Sequence, residues 1–313
     1  MNIPITSVIN VIIPLFLILL LGVFVRKVGI IDLPTTRKLS NFVVNITHPF
    51  LIIASFQTEI TGEKLIIALE IIAASIVIHV TFSVLARILL KNNEKADRVT
   101  LEFSLIFGNC AFMGFPILTA VFPQNGLFYG AAFTLVFNVY IRTYGVYLLN
   151  RGKKDQKALL KALVNPGTIA SVIGILLFVL AIQLPTPIYN TVASVGELTF
   201  PLSMLVVGSI LCNQPFTNLF KRKLYTFAFA RLLLLPLFVL TICALFSIDQ
   251  GLTYVLVIMA AVPTAANSAL FCEMYKANSP LAASCIGVTS LFSVVTIPAM
   301  LAFTDWVMTL ISK

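Results

Sequence analysis

Apolar runs of membrane-crossing length follow one another along almost the whole chain, with short polar stretches between them. A helix rises 1.5 Å per residue, so about 20 apolar residues cover the ~30 Å hydrocarbon core of a bilayer. On that measure the pattern predicts ten transmembrane helices: Ile5 to Val25, Lys38 to Phe56, Leu65 to Leu90, Val99 to Phe122, Gly126 to Leu149, Ala162 to Ile182, Pro187 to Leu211, Leu224 to Phe246, Leu252 to Tyr275 and Pro280 to Leu301. The fold class expected is an all-α integral membrane protein. Between Met1 and Ile9 there is no basic residue, and no small-residue cleavage motif ends the first run, so that run is read as a retained span.

The polar residues between the runs orient them. With 59% hydrophobic residues, 11% charged residues and a mean hydropathy of +1.02, the chain lies outside the range of soluble globular folds. A net charge of +9 would suggest nucleic acid on a soluble protein, but here the basic residues sit between apolar runs. Of the 21 lysines and arginines, 17 fall in loops after odd-numbered spans, from Arg26 and Lys27 to Lys276. The positive-inside rule makes those loops cytoplasmic and puts both termini outside, which requires an even number of spans. The expected location is the cell membrane, with lipid as a partner and no nucleic acid.

The most polar stretch, 150–161 (NRGKKDQKALLK), separates a first half, 1–149, from a second, 162–313. Pro14 and Pro166, Gly22 and Gly174, and Pro49 and Pro201 are each 152 residues apart. Five spans per half is odd, so the second half enters the membrane from the opposite side, an inverted-topology repeat.

The fourth span of each half is interrupted. One contains Gly108-Asn109-Cys110-Ala111-Phe112-Met113-Gly114-Phe115-Pro116 and the other Pro263-Thr264-Ala265-Ala266-Asn267-Ser268. Proline removes a backbone donor and glycine weakens the helix, so both helices are expected to open near the bilayer midplane. Freed backbone groups must then be covered by protein or line a wet cavity. Matched breaks in two halves are the sequence mark of a transport site, with Asn109, Asn267 and Ser268 beside them to bind substrate.

The runs GNCAFMGFPIL, NGLFYGAAFTLVFNVYIRTYGVYLL, NPGTIASVIGILL, PLSMLVVGSIL and AAVPTAANSALFCEMY resemble the auxin efflux carrier family in its bacterial branch, over nearly the whole chain. The resemblance implies a scaffold of spans one, two, six and seven and a mobile transport domain of spans three to five and eight to ten. It implies Pro116 and Pro263 as crossing prolines, with Asn109 and Asn267 as the polar residues of the crossover. It further implies organic anion substrates such as malate or malonate, elevator-type alternating access and a homodimer. The long cytoplasmic loop of the plant carriers is reduced here to about a dozen residues, which argues against an auxin-like aromatic carboxylate and leaves a uniporter for one as the alternative.

Ionisable residues within spans are costly and hence candidates. Arg142 and Arg231 each lie seven residues inside a cytoplasmic boundary, about 10 Å at helical rise and within reach of snorkelling. Interfacial anchoring is the first reading for both, and a bidentate contact with a substrate carboxylate the second, chiefly for Arg142. Asn138 precedes Arg142 by one turn and shares its helix face, and Tyr144 is grouped with them as a polar group toward the cavity. Glu102 and Glu273, near the cytoplasmic face, are candidates to pair with those arginines or to carry a coupling proton, against a solvated helix-end reading. Glu197 and Asn45, also 152 apart, sit beside Thr199 and Thr47 before Pro201 and Pro49, where bonds to loosened backbone are the simpler reading. His48 is a candidate proton sensor, although a lone histidine, like His79, reads first as packing.

Other classes lack their residues. There is no HExxH, GxSxG or CxxC, so no enzyme, cofactor or metal site is expected. Five cysteines without a spacing pattern read as packing residues. An anion channel would want a repeated filter loop, and the two breaks differ in sequence.

Overall fold

The protein is described by a computed structural model covering residues 5–150, 164–212 and 222–311. The linker's basic residues from Arg151 to Lys161, the predicted start of the sixth span at Ala162, and Lys221 and Lys313 lie outside the described residues. With contiguous turns joined, the helices are α1 (Ile5–Lys27), α2 (33–55), α3 (Gly62–Leu89), α4 (Lys95–Ile106), α5 (Cys110–Val121), α6 (Gly126–Leu149), α7 (Pro166–Val179), α8 (Thr186–Cys212), α9 (Arg222–Leu245), α10 (Gln250–Ala261), α11 (Ser268–Met274) and α12 (Ser279–Ile311). Six of these (α1, α3, α6, α8, α9 and α12) are long and apolar enough to cross a membrane. Each predicted span coincides with helix, the fourth and ninth with two short helices each. Among the described residues there is no strand, only one isolated antiparallel bridge.

All-helical structure follows from the solvent, since hydrocarbon offers no partner for backbone groups and a helix satisfies its own. Side chains such as Leu17, Phe24, Ile66, Leu69, Val77 and Leu176 point outward, which water would penalise and lipid does not. Asp32, Thr61, Asn165 and Asp249 end the short loops by accepting from the backbone N–H three residues on, at 2.7 to 3.2 Å.

Prolines explain three local features. Single π turns occupy Val43–Thr47, Cys110–Gly114 and Ala230–Leu234, and Pro49, Pro116 and Pro236 each stand two residues after one. Proline lacks an N–H and its ring crowds the carbonyl four residues back, and widening that turn relieves both. A fourth π turn, Ile141–Gly145, carries Arg142.

Glycines permit close approach at two helix crossings. On α1 and α8, Gly22 and Gly208 meet: a Cβ on Gly208 would overlap the Leu19 carbonyl and the Gly22 Cα, and one on Gly22 the Leu205 backbone. On α7 and α2, Gly174 lies against the Phe56 ring. Thr199 Oγ1 donates to Thr47 Oγ1 (2.9 Å) and Thr36 and Ser209 share a 2.6 Å hydrogen bond, joining α2 to α8. Asn45 and Thr47 bond the carbonyls of Asn41 and Val43, one turn back. Glu197 differs: it is exposed and is not among the residues lining the crossover cavity described below.

The loop ends sort by parity. Arg37 pairs with Glu273, Lys223 with Asp97 (3.0 Å), and Asn278 donates to Asp97 (2.9 Å), which gathers the loops after the first, third, seventh and ninth predicted spans at one end. At the other, Gln57 accepts from Leu184 N–H (2.7 Å), joining the loops after the second and sixth.

Candidate functional site

The site begins where two helices stop. After Ile106, Phe107 is extended, with ψ 108°; after Ala261, Val262 is extended, with ψ 150°. The two extended segments lie antiparallel: Asn109 N–H donates to the Pro263 carbonyl (2.7 Å) and Ala265 N–H to the Phe107 carbonyl (2.9 Å), around the Gly108–Thr264 bridge. Part of the backbone polarity that each break frees is therefore satisfied by the other break. Thr264, fully buried, completes the joint. Its Oγ1 donates to the Ser104 carbonyl (3.0 Å) and its N–H to Thr289 Oγ1 (3.1 Å).

Neither Thr264 nor Thr289 was singled out in the sequence. The signal for Thr264 was a hydroxyl inside a break, where a freed carbonyl needs a donor; Thr289, in the interior of α12, carried none. Replacing Thr264 by Val is expected to leave the Ser104 carbonyl unpaired at a cost of about 1–3 kcal/mol. A thermal melt of the purified protein checks this, with Thr264→Ser keeping the wild-type midpoint.

Pro263 lies in its break, but Pro116 does not lie in the other. The first opening is at Phe107–Asn109, and Pro116 is the second residue of the α-helical part of α5, its disturbance absorbed by the π turn before it. Gly108 is what the opening requires. A Cβ there would collide with the Arg231 guanidinium and approach Val262 Cγ2 to 2.9 Å.

At the crossover lies a small cavity of about 40 Å³ lined by residues of both breaks, of α2 and of α6: Gly108, Asn109, Cys110, Ala265 and Asn267, with His48, Asn138, Arg142, Asn165 and Gly167, and the rings of Phe112, Phe137 and Phe271. At about 10–15 Å³ per water it holds roughly three, the size of a carboxylate group. His48 Nε2, Asn109 Nδ2, Asn138 Nδ2 and Asn267 Oδ1 are buried there without a hydrogen-bond partner in the protein. His48, Asn109 and Asn138 are each more than nine-tenths buried. Arg142 is half-buried, forms no ion pair with any of the described residues, and its guanidinium carbon lies 5.9 Å from the Phe271 ring centre. The Asn109 and Asn138 amide N–H groups and the Arg142 guanidinium are donors that suit an anionic oxygen group in a pocket of this size, while Asn267 Oδ1 is an acceptor beside them.

Other candidates lie elsewhere. Ser268 is fully buried beside the break but outside the cavity lining. Tyr144 turns away from Arg142 to stack on Tyr140 at 5.1 Å, because residues two apart face opposite sides of a helix. Glu102 pairs with Arg98 (2.6 Å) on its own helix and Glu273 with Arg37, so neither meets Arg142 or Arg231. Arg231 does not snorkel: it is 1% exposed and donates to the Ala260 carbonyl (3.0 Å). His79 is a packing residue among Phe107, Phe133, Phe137 and Tyr140, bonded to the Ser75 carbonyl (2.7 Å). Asn165 and Gly167 were missed, although Asn-Pro-Gly is a helix-start signature.

A second cavity, about 410 Å³, opens at the basic end between α2, α8, α11 and α12. Ala266 lines it, while Ala265 and Asn267 line the inner one, so the second break is the wall between them. The Arg37–Glu273 pair stands in the larger cavity and joins α2 to α11.

Comparison with known proteins gives the same class. Residues 7–301 match the family described as membrane transport protein. An uncharacterized transporter of Methanocaldococcus jannaschii is 23% identical over 304 residues, covering 92% of this chain and 96% of the relative. Another, of Methanothermobacter thermautotrophicus, is 24% identical over 292 residues, covering 90% and 93%. With its family match spanning nearly the whole chain, this multi-pass membrane protein belongs to the membrane transport protein family, the auxin efflux carriers that its motifs resemble.

Proposed function

We propose that the protein is a secondary carrier for a small organic anion, a mono- or dicarboxylate such as malate or malonate, a carboxylate group of which binds in the crossover cavity. The observation that carries this reading is the set of buried polar atoms on His48, Asn109, Asn138 and Asn267 without partners among the described residues, around one cavity, with the Arg142 guanidinium, in no ion pair with those residues, beside them. Buried polar groups are normally paired, so a cluster of exceptions marks a place where a ligand or water completes the bonding. Asn109 also stands at the N-terminal start of the helix Cys110–Val121, where backbone dipoles favour an anion. The three phenylalanine rings of the lining favour, as a second reading, a carboxylate with an aromatic body.

The carrier has ten crossings in two inverted halves, the divided helices α4–α5 and α10–α11 counting as one crossing each. Supporting this are the alternation of loop ends, the 152-residue spacing of Thr47 and Thr199 across their hydrogen bond, and the crossings of α1 with α8 and of α7 with α2. Helices α1, α2, α7 and α8 form the scaffold, and the remainder the moving domain of an elevator. The basic end is cytoplasmic, and the larger cavity is the path from the crossover to that side. A homodimer is part of the same reading.

Asn109→Ala and Asn267→Ala test the site. In proteoliposomes loaded with radiolabelled malate, each is expected to raise the half-saturating concentration by about 10- to 100-fold, the scale of a hydrogen bond to a charged group, without loss of folded protein. Wild-type kinetics in both variants would remove the assignment.

A further inference from the structure

Arg231 is the largest side chain that the fold buries almost completely, 1% exposed, and it is a cation. Its Nη1 donates to Ala260, its guanidinium carbon lies 6.0 Å from the Phe82 ring centre, and its Nε has no partner. No carboxylate among the described residues lies within ion-pair distance of it; the ion pairs there are Arg37–Glu273, Arg98–Glu102 and Lys223–Asp97. Partial compensation comes from α10, because Ala260 lies in its last turn, where unpaired carbonyls carry a fraction of a negative charge. A buried cation so incompletely neutralised is costly to the fold. Its field has one near outlet: Gly108 and Cys110 line the crossover cavity, and Arg231 stands directly behind Gly108, where no side chain intervenes.

We infer that Arg231 is a resident counter-charge for the substrate. It does not line the cavity and is a positioning rather than a contacting residue. Through the bare backbone at Gly108 it holds a fixed positive potential over the site, so that affinity rises with the negative charge of the ligand. Arg142 and the asparagines supply the contacts, and Arg231 sets which charge state is preferred. The inference rests on the reading of the cavity as an anion site.

Three probes of similar size and graded charge test it: malonate, its monomethyl ester and malonamide, titrated calorimetrically against the purified wild type, Arg231→Gln and Arg231→Lys. One charge acting across one residue layer at intermediate dielectric is worth about tenfold. Arg231→Gln is therefore expected to weaken malonate about 100-fold and the monoester about tenfold and to leave malonamide unchanged, while Arg231→Lys restores most of the loss. A uniform loss for all three ligands, or an unchanged charge order in Arg231→Gln, would overturn the counter-charge while leaving the anion site standing. A wild type that binds none of the three, or all alike, removes the anion reading and the counter-charge together. Where Arg231→Gln fails to fold, Arg231→Met, an uncharged and apolar replacement of similar length, takes its place with the same graded loss expected; an equal loss on malonamide would overturn the inference.

Discussion

Replacing Gly208 by Leu is expected to yield no folded protein. The Cβ of any residue at Gly208 would overlap the Leu19 carbonyl oxygen and stand 2.9 Å from both the Gly22 Cα and the Val23 nitrogen. All three are backbone atoms, so no rotamer change makes room and α1 must move away from α8. In a membrane such a crossing is held by close van der Waals approach rather than by exclusion of water, and small residues are what permit it. Gly208→Ala already adds the overlapping atom and is expected to cost about 1–3 kcal/mol, the usual range for overpacking, with a lowered thermal midpoint. Leu adds three more carbons and should prevent the crossing. Gly62, with nothing within 4 Å of its built Cβ, is the control: Gly62→Ala should melt like the wild type.

Arg142→Gln should lose nearly all anion transport, about 100-fold in uptake at low substrate, because a guanidinium–carboxylate pair in a partly dry site is among the strongest single contacts available. Its stability should move the other way. Arg142 is half-buried and has no ion-pair partner among the described residues, so those residues leave the desolvation cost of its charge without offset in the free protein. The variant without ligand is expected to melt at or above the wild-type midpoint, while losing the rise in midpoint that malate gives the wild type. A structural role for Arg142 would instead lower the midpoint without ligand. Arg142→Lys keeps the charge but not the planar fork and should fall between.

Much of this was legible along the chain because membrane helices announce themselves by length and apolarity. The interrupted helices were legible too, since Gly108, Asn109 and Pro263 are poor residues for a helix interior and both helices stop beside them. What the pattern could not resolve was direction around a helix axis. Counting residues from a boundary placed Arg231 near the membrane surface, yet the same depth on the inward face of α9 buries it behind Gly108. Tyr144 was grouped with Arg142 by proximity, whereas two residues of helix turned it away. Pro116 was taken as the point of opening because prolines break helices, but a π turn absorbed it and the chain opened at the glycine. Glu102 and Glu273 found partners, Arg98 and Arg37, that no spacing rule ranks above others. The threonine joint at Thr264 depends on Ser104 and Thr289, residues 160 and 25 positions away, and only the fold brings these together.

The central claim is that the crossover cavity is the binding site of a carboxylate carrier. Its most direct test is counterflow: proteoliposomes containing the purified protein and a high concentration of unlabelled malate, diluted into a trace of radiolabelled malate. The account predicts transient accumulation of label above equilibrium, abolished by external malonate and absent from Arg142→Gln. Label that equilibrates no faster than in empty liposomes, or a flux that rises in proportion to concentration without saturating, would contradict it.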